Sequence, residues 1–218
     1  MRIVNRIVLG ALCAVGMVAC DQANILGPEP TDELVPLAVG NSWSMEFTIE
    51  TPAGSQVENV RFEVSEEIVV QNESWFKVEN TGEYKSHVFA DGYYANRPGG
   101  LWTLKSLPGE RLRADIMFQF PADTLGVNSF TSDVATELIQ SGVQQQTANG
   151  DWLTTYHYVT ELRGFGEDPV LYNVYFAAGV GIVSMEGGIP SRSELLRRPE
   201  FTSAPEFSWN LISFDRSP

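Results

Sequence analysis

Lysine, histidine and cysteine are scarce in this sequence, and each scarcity excludes a class of function. Only three of the 218 residues are lysine, and 14 basic residues face 28 acidic ones, for a formal charge of −14. A phosphate backbone is held by clustered Lys and Arg, so nucleic acid is not an expected partner. An anionic membrane surface would repel the chain as well. The two histidines, His87 and His157, show no HxH or HExxH spacing, so neither a metal centre nor another cofactor is expected. Both cysteines, Cys13 and Cys20, fall in the first twenty residues, which leaves no disulfide and no thiolate site for the rest of the chain. Long apolar runs are missing too. The charge-free stretch at residues 7–19 is thirteen residues long, where a spanning helix needs roughly 20.

What is present is a core. Apolar residues make up 43% of the chain and aromatics 11%, too rich for a disordered protein, and the length suits one all-β domain or two small ones. At the amino end, Met1 to Arg6 carries two positive charges ahead of the apolar residues 7–19, which is the anatomy of an export signal. After it stand Met17-Val18-Ala19-Cys20. This segment resembles the lipobox of bacterial lipoprotein precursors, although that family most often has Leu where Met17 stands. The resemblance implies that Cys20 takes a diacylglycerol and, after cleavage of the preceding bond, becomes the first mature residue. It also implies a place in the bacterial cell envelope, in an inner or outer membrane that the sequence does not distinguish. The alternative is an ordinary secretory signal cut near Ala19. Lipidation accounts for the one cysteine left over after cleavage, and two or three acyl chains suffice for stable anchoring.

The expected organisation is a signal peptide at 1–19, a lipidated cysteine and acidic tether at 20–35, and a single β-rich domain at 36–218. Pro28 and Pro30 favour an extended tether that could reach roughly 45 Å at about 3.1 Å per residue. Beyond it the dominant period is two. Trp43, Met45, Phe47 and Ile49 alternate without exception with Ser44, Glu46, Thr48 and Glu50. Val60, Phe62, Val64, Ile68 and Val70 repeat the pattern, as do Leu112, Ala114, Ile116, Phe118 and Phe120. Such alternation marks strands of an antiparallel sheet with one buried face. Asn149-Gly150 predicts a two-residue hairpin turn that pairs Thr147 with Trp152 and Val143 with Tyr156. A second hairpin is predicted at Asp91-Gly92, joining Tyr84–Ala90 to Tyr93–Asn96, and one short helix at Ser191–Arg198. Nine to eleven strands and no domain boundary predict an all-β fold: a β-sandwich or a curved, partly closed antiparallel barrel. The phrases PLAVGNSW and YFAAGVGIVSMEGG resemble bacterial envelope lipoproteins with no assigned activity, which implies a β-rich exported body and transfers no functional residues.

Chemistry is harder to find. No segment matches a calcium loop, and Glu167-Asp168 reads as a charged loop tip. G-x-S-x-G does not occur, and Gly179-Val180-Gly181 precedes a strand pattern rather than a helix, so it reads as a hairpin bend and not a phosphate loop. Glu66 interrupts the apolar face of its strand between Val64 and Ile68, a sign of a bulge or of an acid with a raised pKa. The remaining lead is aromatic: Trp152, Tyr156 and Tyr158 on one strand face, with Tyr93, Tyr94 and Trp102, form a candidate set for a sugar ring or lipid chain, against the plain alternative of core packing. No catalytic residue and no metal ligand is assigned. The expected function is a non-catalytic binding, scaffold or assembly component of the envelope, held to the membrane through lipid at Cys20 and acting on an envelope protein, glycan or lipid. The alternatives are an envelope hydrolase using carboxylates on a glycan, and a lipid-carrying β cavity.

Overall fold

The two-residue alternation becomes twelve strands in the computed structural model, which describes residues 33–51, 54–82, 91–107, 111–121, 127–131, 134–162, 170–187 and 206–217. They are β1 (Ser42–Thr51), β2 (Gly54–Val70), β3 (Glu73–Asn80), β4 (Gly92–Arg97), β5 (Gly100–Leu107), β6 (Arg111–Gln119), β7 (Val127–Thr131), β8 (Val134–Gln146), β9 (Trp152–Leu162), β10 (Val170–Ala177), β11 (Gly181–Glu186) and β12 (Glu206–Asp215). All pair antiparallel in one sheet of order β6-β5-β4-β3-β2-β1-β12-β11-β10-β9-β8-β7. The count exceeds the nine to eleven expected, since a strand as short as β7 is too brief to show a period. The predicted helix at 191–198, the Glu167-Asp168 tip and the segment 84–90 lie outside the described residues. Among those that are described, β4 pairs with β3.

The sheet curls until its two ends meet, so the fold is a nearly closed barrel rather than a sandwich. Phe118 of β6 packs at 4.7 Å from Phe176 of β10 and 5.2 Å from Tyr158 of β9. The Tyr158 hydroxyl donates to the Gln119 carbonyl at 2.6 Å, and β6 lies beside β7. The axis is filled by the inward faces: Trp43, Phe47, Phe62, Trp209, Phe176 and Tyr172 are each 1% exposed or less. At about 25 cal/mol per Å² of apolar surface, burying each of these rings contributes more than a backbone hydrogen bond, which nets only about 1 kcal/mol against water.

One mouth of the barrel is plugged by chain that precedes β1. Leu34 and Val35 are 1% and 0% exposed. The Glu33 carbonyl accepts from the Gly179 amide at 3.0 Å, and the Val35 carbonyl from the Asn96 side chain at 2.7 Å. Asn41 ties the plug to the other end of the chain, its Oδ1 accepting from the Ser217 amide at 2.8 Å. Leu34 and Val35 therefore belong to the packed body although they precede the strand alternation.

Bulges explain where the faces depart from a simple period. The register between β2 and β3 slips between Val64 and Glu66. Val60, Phe62 and Val64 point inward, and past the slip Glu66, Ile68 and Val70 turn outward with Lys77, Trp75 and Glu73. The odd acid at Glu66 is thus the signature of a bulge. In β6 a slip at Met117 leaves Leu112 half exposed and directs Asp115 inward, opposite Thr103, where Arg113 Nε donates to it at 2.5 Å. An inward charge on a strand at the end of the sheet discourages edge-to-edge pairing.

One turn differs from expectation, and another carries no signal in the sequence analysis. Around Asn149-Gly150 the Thr147 amide donates to the Asp151 carbonyl at 2.8 Å and the Gly150 amide to the Thr147 carbonyl at 3.0 Å, with Gly150 at φ +92°. This is a three-residue loop with a left-handed third residue rather than a two-residue turn. The pairing is accordingly Gln146 with Trp152 and Val143 with Thr155. A true two-residue turn of mirror-image type stands at Gln71-Asn72, with φ +52° and +65°, closing Val70 on Glu73.

Candidate functional site

The six aromatic residues marked by the sequence separate into four environments. Tyr94 and Tyr158 face the barrel axis at 3% and 1% exposure. Burial drives the Tyr158 phenol far above the ordinary tyrosine range, so it acts only as the neutral donor to Gln119. Tyr156, half-buried, meets Phe120 edge-on at 5.1 Å. Trp152 shares the strand face of Tyr156 and Tyr158 but lies beyond the barrel mouth at 60% exposure. One strand face thus passes from solvent to core within seven residues.

Tyr93 and Trp102 are on the outer face of β4 and β5, where a cluster forms that the sequence reading missed. Trp102 pairs across the ladder with Ala95 of β4, and Trp75 of β3 lies on the other side of that strand. Ala95 is small, so both indoles can lean over it. Arg97, two residues along β4 on the same face, stands 4.6 Å from the Trp102 ring centre and 5.6 Å from that of Trp75, and its Nη2 reaches Glu73 Oε1 at 3.2 Å. The guanidinium occupies the ring faces that a planar ligand would need. Alternation around Trp75 could have flagged its outward position, but nothing local could place Arg97 over two rings from different strands. Nearby, Tyr93 donates its hydroxyl to Glu66 Oε1, and this carboxylate raises the phenol pKa. Lys77 and Glu79 form an ion pair at 2.7 Å, which raises the one pKa and lowers the other.

An open groove of about 410 Å³ lies elsewhere on the outer face, across β1, β12, β11 and β10. Thr48, Glu50, Ser208, Asn173 and Glu186 supply polar lining, and Phe207 an apolar contribution. The groove falls within the size range of small-ligand sites. His157 borders this region: its Nε2 is 2.9 Å from Asn173 Oδ1 and its ring stacks on Tyr175 at 4.5 Å. That placement is a half-buried strand histidine with an amide partner, close to the solvent-facing reading. His87 lies outside the described residues. Among the described residues no three His, Cys, Asp or Glu side chains gather as a metal site. Gly179 and Gly181, at φ +71° and +101°, form the β10–β11 bend as expected; a Cβ at Gly181 would stand 2.9 Å from Trp43 Nε1, which donates to the Val180 carbonyl at 2.5 Å.

Comparison with protein families and with curated proteins finds no match. Among solved structures, the chain is similar to a protein of Parabacteroides distasonis described as a lipoprotein, at 10% identity and a TM-score of 0.44, covering 84% of this chain and 99% of that one. It is also similar to a protein of Bacteroides fragilis described as exported with a YmcC-like fold, at 10% identity and a TM-score of 0.40, covering 85% and 100%.

Proposed function

We propose that the chain is the precursor of an exported, lipid-anchored envelope protein whose barrel serves as a non-catalytic binding or assembly component and works through its outer surface. The observation that carries the anchoring is Cys20, placed after residues 7–19 and followed by no further cysteine. The interior argues for surface binding rather than cargo carriage. A lipid-carrying barrel needs an unfilled axis, and here Trp43, Phe47, Phe62 and Trp209 occupy it. Processing would remove Arg2 and Arg6 but no acid, so the mature body becomes more acidic and an anionic membrane would attract it less. Attachment then rests on the lipid. The test is fractionation of the full chain expressed in a bacterium with labelled palmitate. The native chain should carry label and pellet with membranes, and Cys20→Ala should lose both. A Cys20→Ala chain that still pellets and labels sinks the reading.

A second reading is a carboxylate hydrolase, favoured by the single fact that Glu50 and Glu186 line one groove. Glycan cleavage by the purified protein that is lost in both Glu50→Gln and Glu186→Gln would establish it.

A further inference from the structure

We propose that the β8–β9 ribbon is a docking platform for a neutral sugar ring, with Trp152 as the stacking surface; this names a ligand class for the surface-binding reading above and rests on it. Register places Trp152 opposite Gln146, and Thr154 opposite Gln144, on one face of the ribbon. All four are exposed. The opposite face is closed: Thr155 is fully buried and Leu153 packs on the core. The loop at the tip is fixed as well. The Ala148 amide donates to the Leu211 carbonyl at 2.8 Å, and Asn149 Nδ2 to the Ile212 carbonyl at 2.6 Å. A large apolar ring is thus held open to solvent on a ribbon anchored at its tip and its underside.

The surroundings select the ligand. Between Ile139 and Thr160 the sequence holds one charged residue, Asp151, in a chain where 19% are charged. The groups beside the indole are amides and a hydroxyl. Gln144 Nε2 donates to Thr154 Oγ1 at 2.8 Å and Gln146 Nε2 to the Gly150 carbonyl at 3.1 Å. These bonds orient both carboxamides while their oxygens remain acceptors for ligand hydroxyls. A pyranose presents an apolar C–H face to an electron-rich ring and hydroxyls at its rim, which matches this arrangement. The single charge beside the ring is the carboxylate of Asp151, so an anionic ligand finds no counter-ion here, and an acyl chain finds amides where it needs continuous apolar surface. Unlike Trp102, Trp152 has neither an arginine nor an aromatic ring stacked on it among the described residues.

The experiment uses the purified protein without its signal peptide and follows its indole N–H signals by NMR. Five tryptophans give five signals, and Trp152→Phe assigns one of them. Cellotetraose, maltotetraose and chitotetraose are titrated separately, with an oligogalacturonate as the charged comparator. At least one neutral tetrasaccharide should shift the Trp152 signal first, Trp152→Ala should weaken its binding by about tenfold or more, and Gln146→Ala by several-fold. Trp152→Phe should keep part of the affinity. Because the ring is exposed, the four remaining indole signals and the Tm should be unchanged in Trp152→Ala. The proposal is overturned if no neutral tetrasaccharide shifts the signal, if binding survives Trp152→Ala, or if the oligogalacturonate or phosphatidylcholine vesicles shift it instead. None of these outcomes touches the Cys20 fractionation, so failure here leaves the anchored-binder reading to its own test.

Discussion

The side-chain amide of Asn149 donates to the backbone carbonyl of Ile212 at 2.6 Å, across 63 positions of sequence. Ile212 is the extra residue where the β1–β12 register slips, since Ser44 faces Ser213 and Met45 faces Leu211. A bulge leaves a carbonyl without a ladder partner, and the tip of a hairpin from the far side of β10 and β11 supplies the donor. Asn149→Ala should therefore loosen the β8–β9 tip at a cost of about 1 kcal/mol. Hydrogen exchange should quicken around Ala148 and Gly150 and stay slow in the core of β1; equal acceleration throughout would contradict the link.

Chain ahead of β1 contributes to the core. Leu34→Ala should cost about 2–4 kcal/mol, the range for a buried leucine whose site cannot fully collapse. A chain starting at Pro36 should unfold at lower urea than one starting at Glu33, because it lacks both Leu34 and Val35. Equal midpoints would show that the plug does not stabilise the barrel.

Gly100 sits at φ +142°, where an added Cβ would lie 1.9 Å from the Phe118 carbonyl oxygen. The obstacle is backbone of the neighbouring strand and cannot rotate away. Gly100→Ala should destabilise by about 3 kcal/mol or more, while Gly142→Ala, with open space around its Cβ, should show only the smaller cost of its φ of +74°. Thermal melts of the two variants give the comparison.

Arg97 should not be replaceable by lysine. A planar guanidinium can lie over Trp75 and Trp102 while reaching Glu73, and an ammonium cannot reproduce the stack. Arg97→Lys should cost about 1 kcal/mol and Arg97→Ala about 2 kcal/mol. Both should alter the near-ultraviolet circular dichroism of tryptophan. An unchanged spectrum in Arg97→Ala would mean that the guanidinium does not contact the rings.

Tyr158 sets a limit on alkaline stability. Its folded pKa lies above the unfolded value of 10.0 because burial disfavours the phenolate. The unfolded chain therefore loses this proton first, and the contribution is complete below pH 10 and declines as pH rises above it. The slope should approach 1.4 kcal/mol per pH unit, or about that. Tyr158→Phe should be less stable at pH 8 by about 1 kcal/mol for the lost bond to Gln119, and should decline less steeply above pH 10. Urea titrations at pH 8 to 11 measure both.

The sequence by itself determined the strand character and the identity of most of the core. Trp43, Met45, Phe47 and Ile49 alternate because a strand turns successive side chains to opposite faces, and this period is a local property that needs no partner strand. The scarcity of cysteine and lysine is likewise readable residue by residue. Tertiary structure decided what depends on pairs far apart in the chain. A bulge at Ser65 or Met117 reverses every following side chain, and the slip depends on the neighbouring strand as much as on the bulged one. Burial of Leu34 ahead of the strands, the stacking of Arg97 over rings from β3 and β5, and the contrast between Trp152 in solvent and Tyr158 in the core all follow from how the sheet curls. Curvature is a property of the closed barrel, and no window of the sequence contains it.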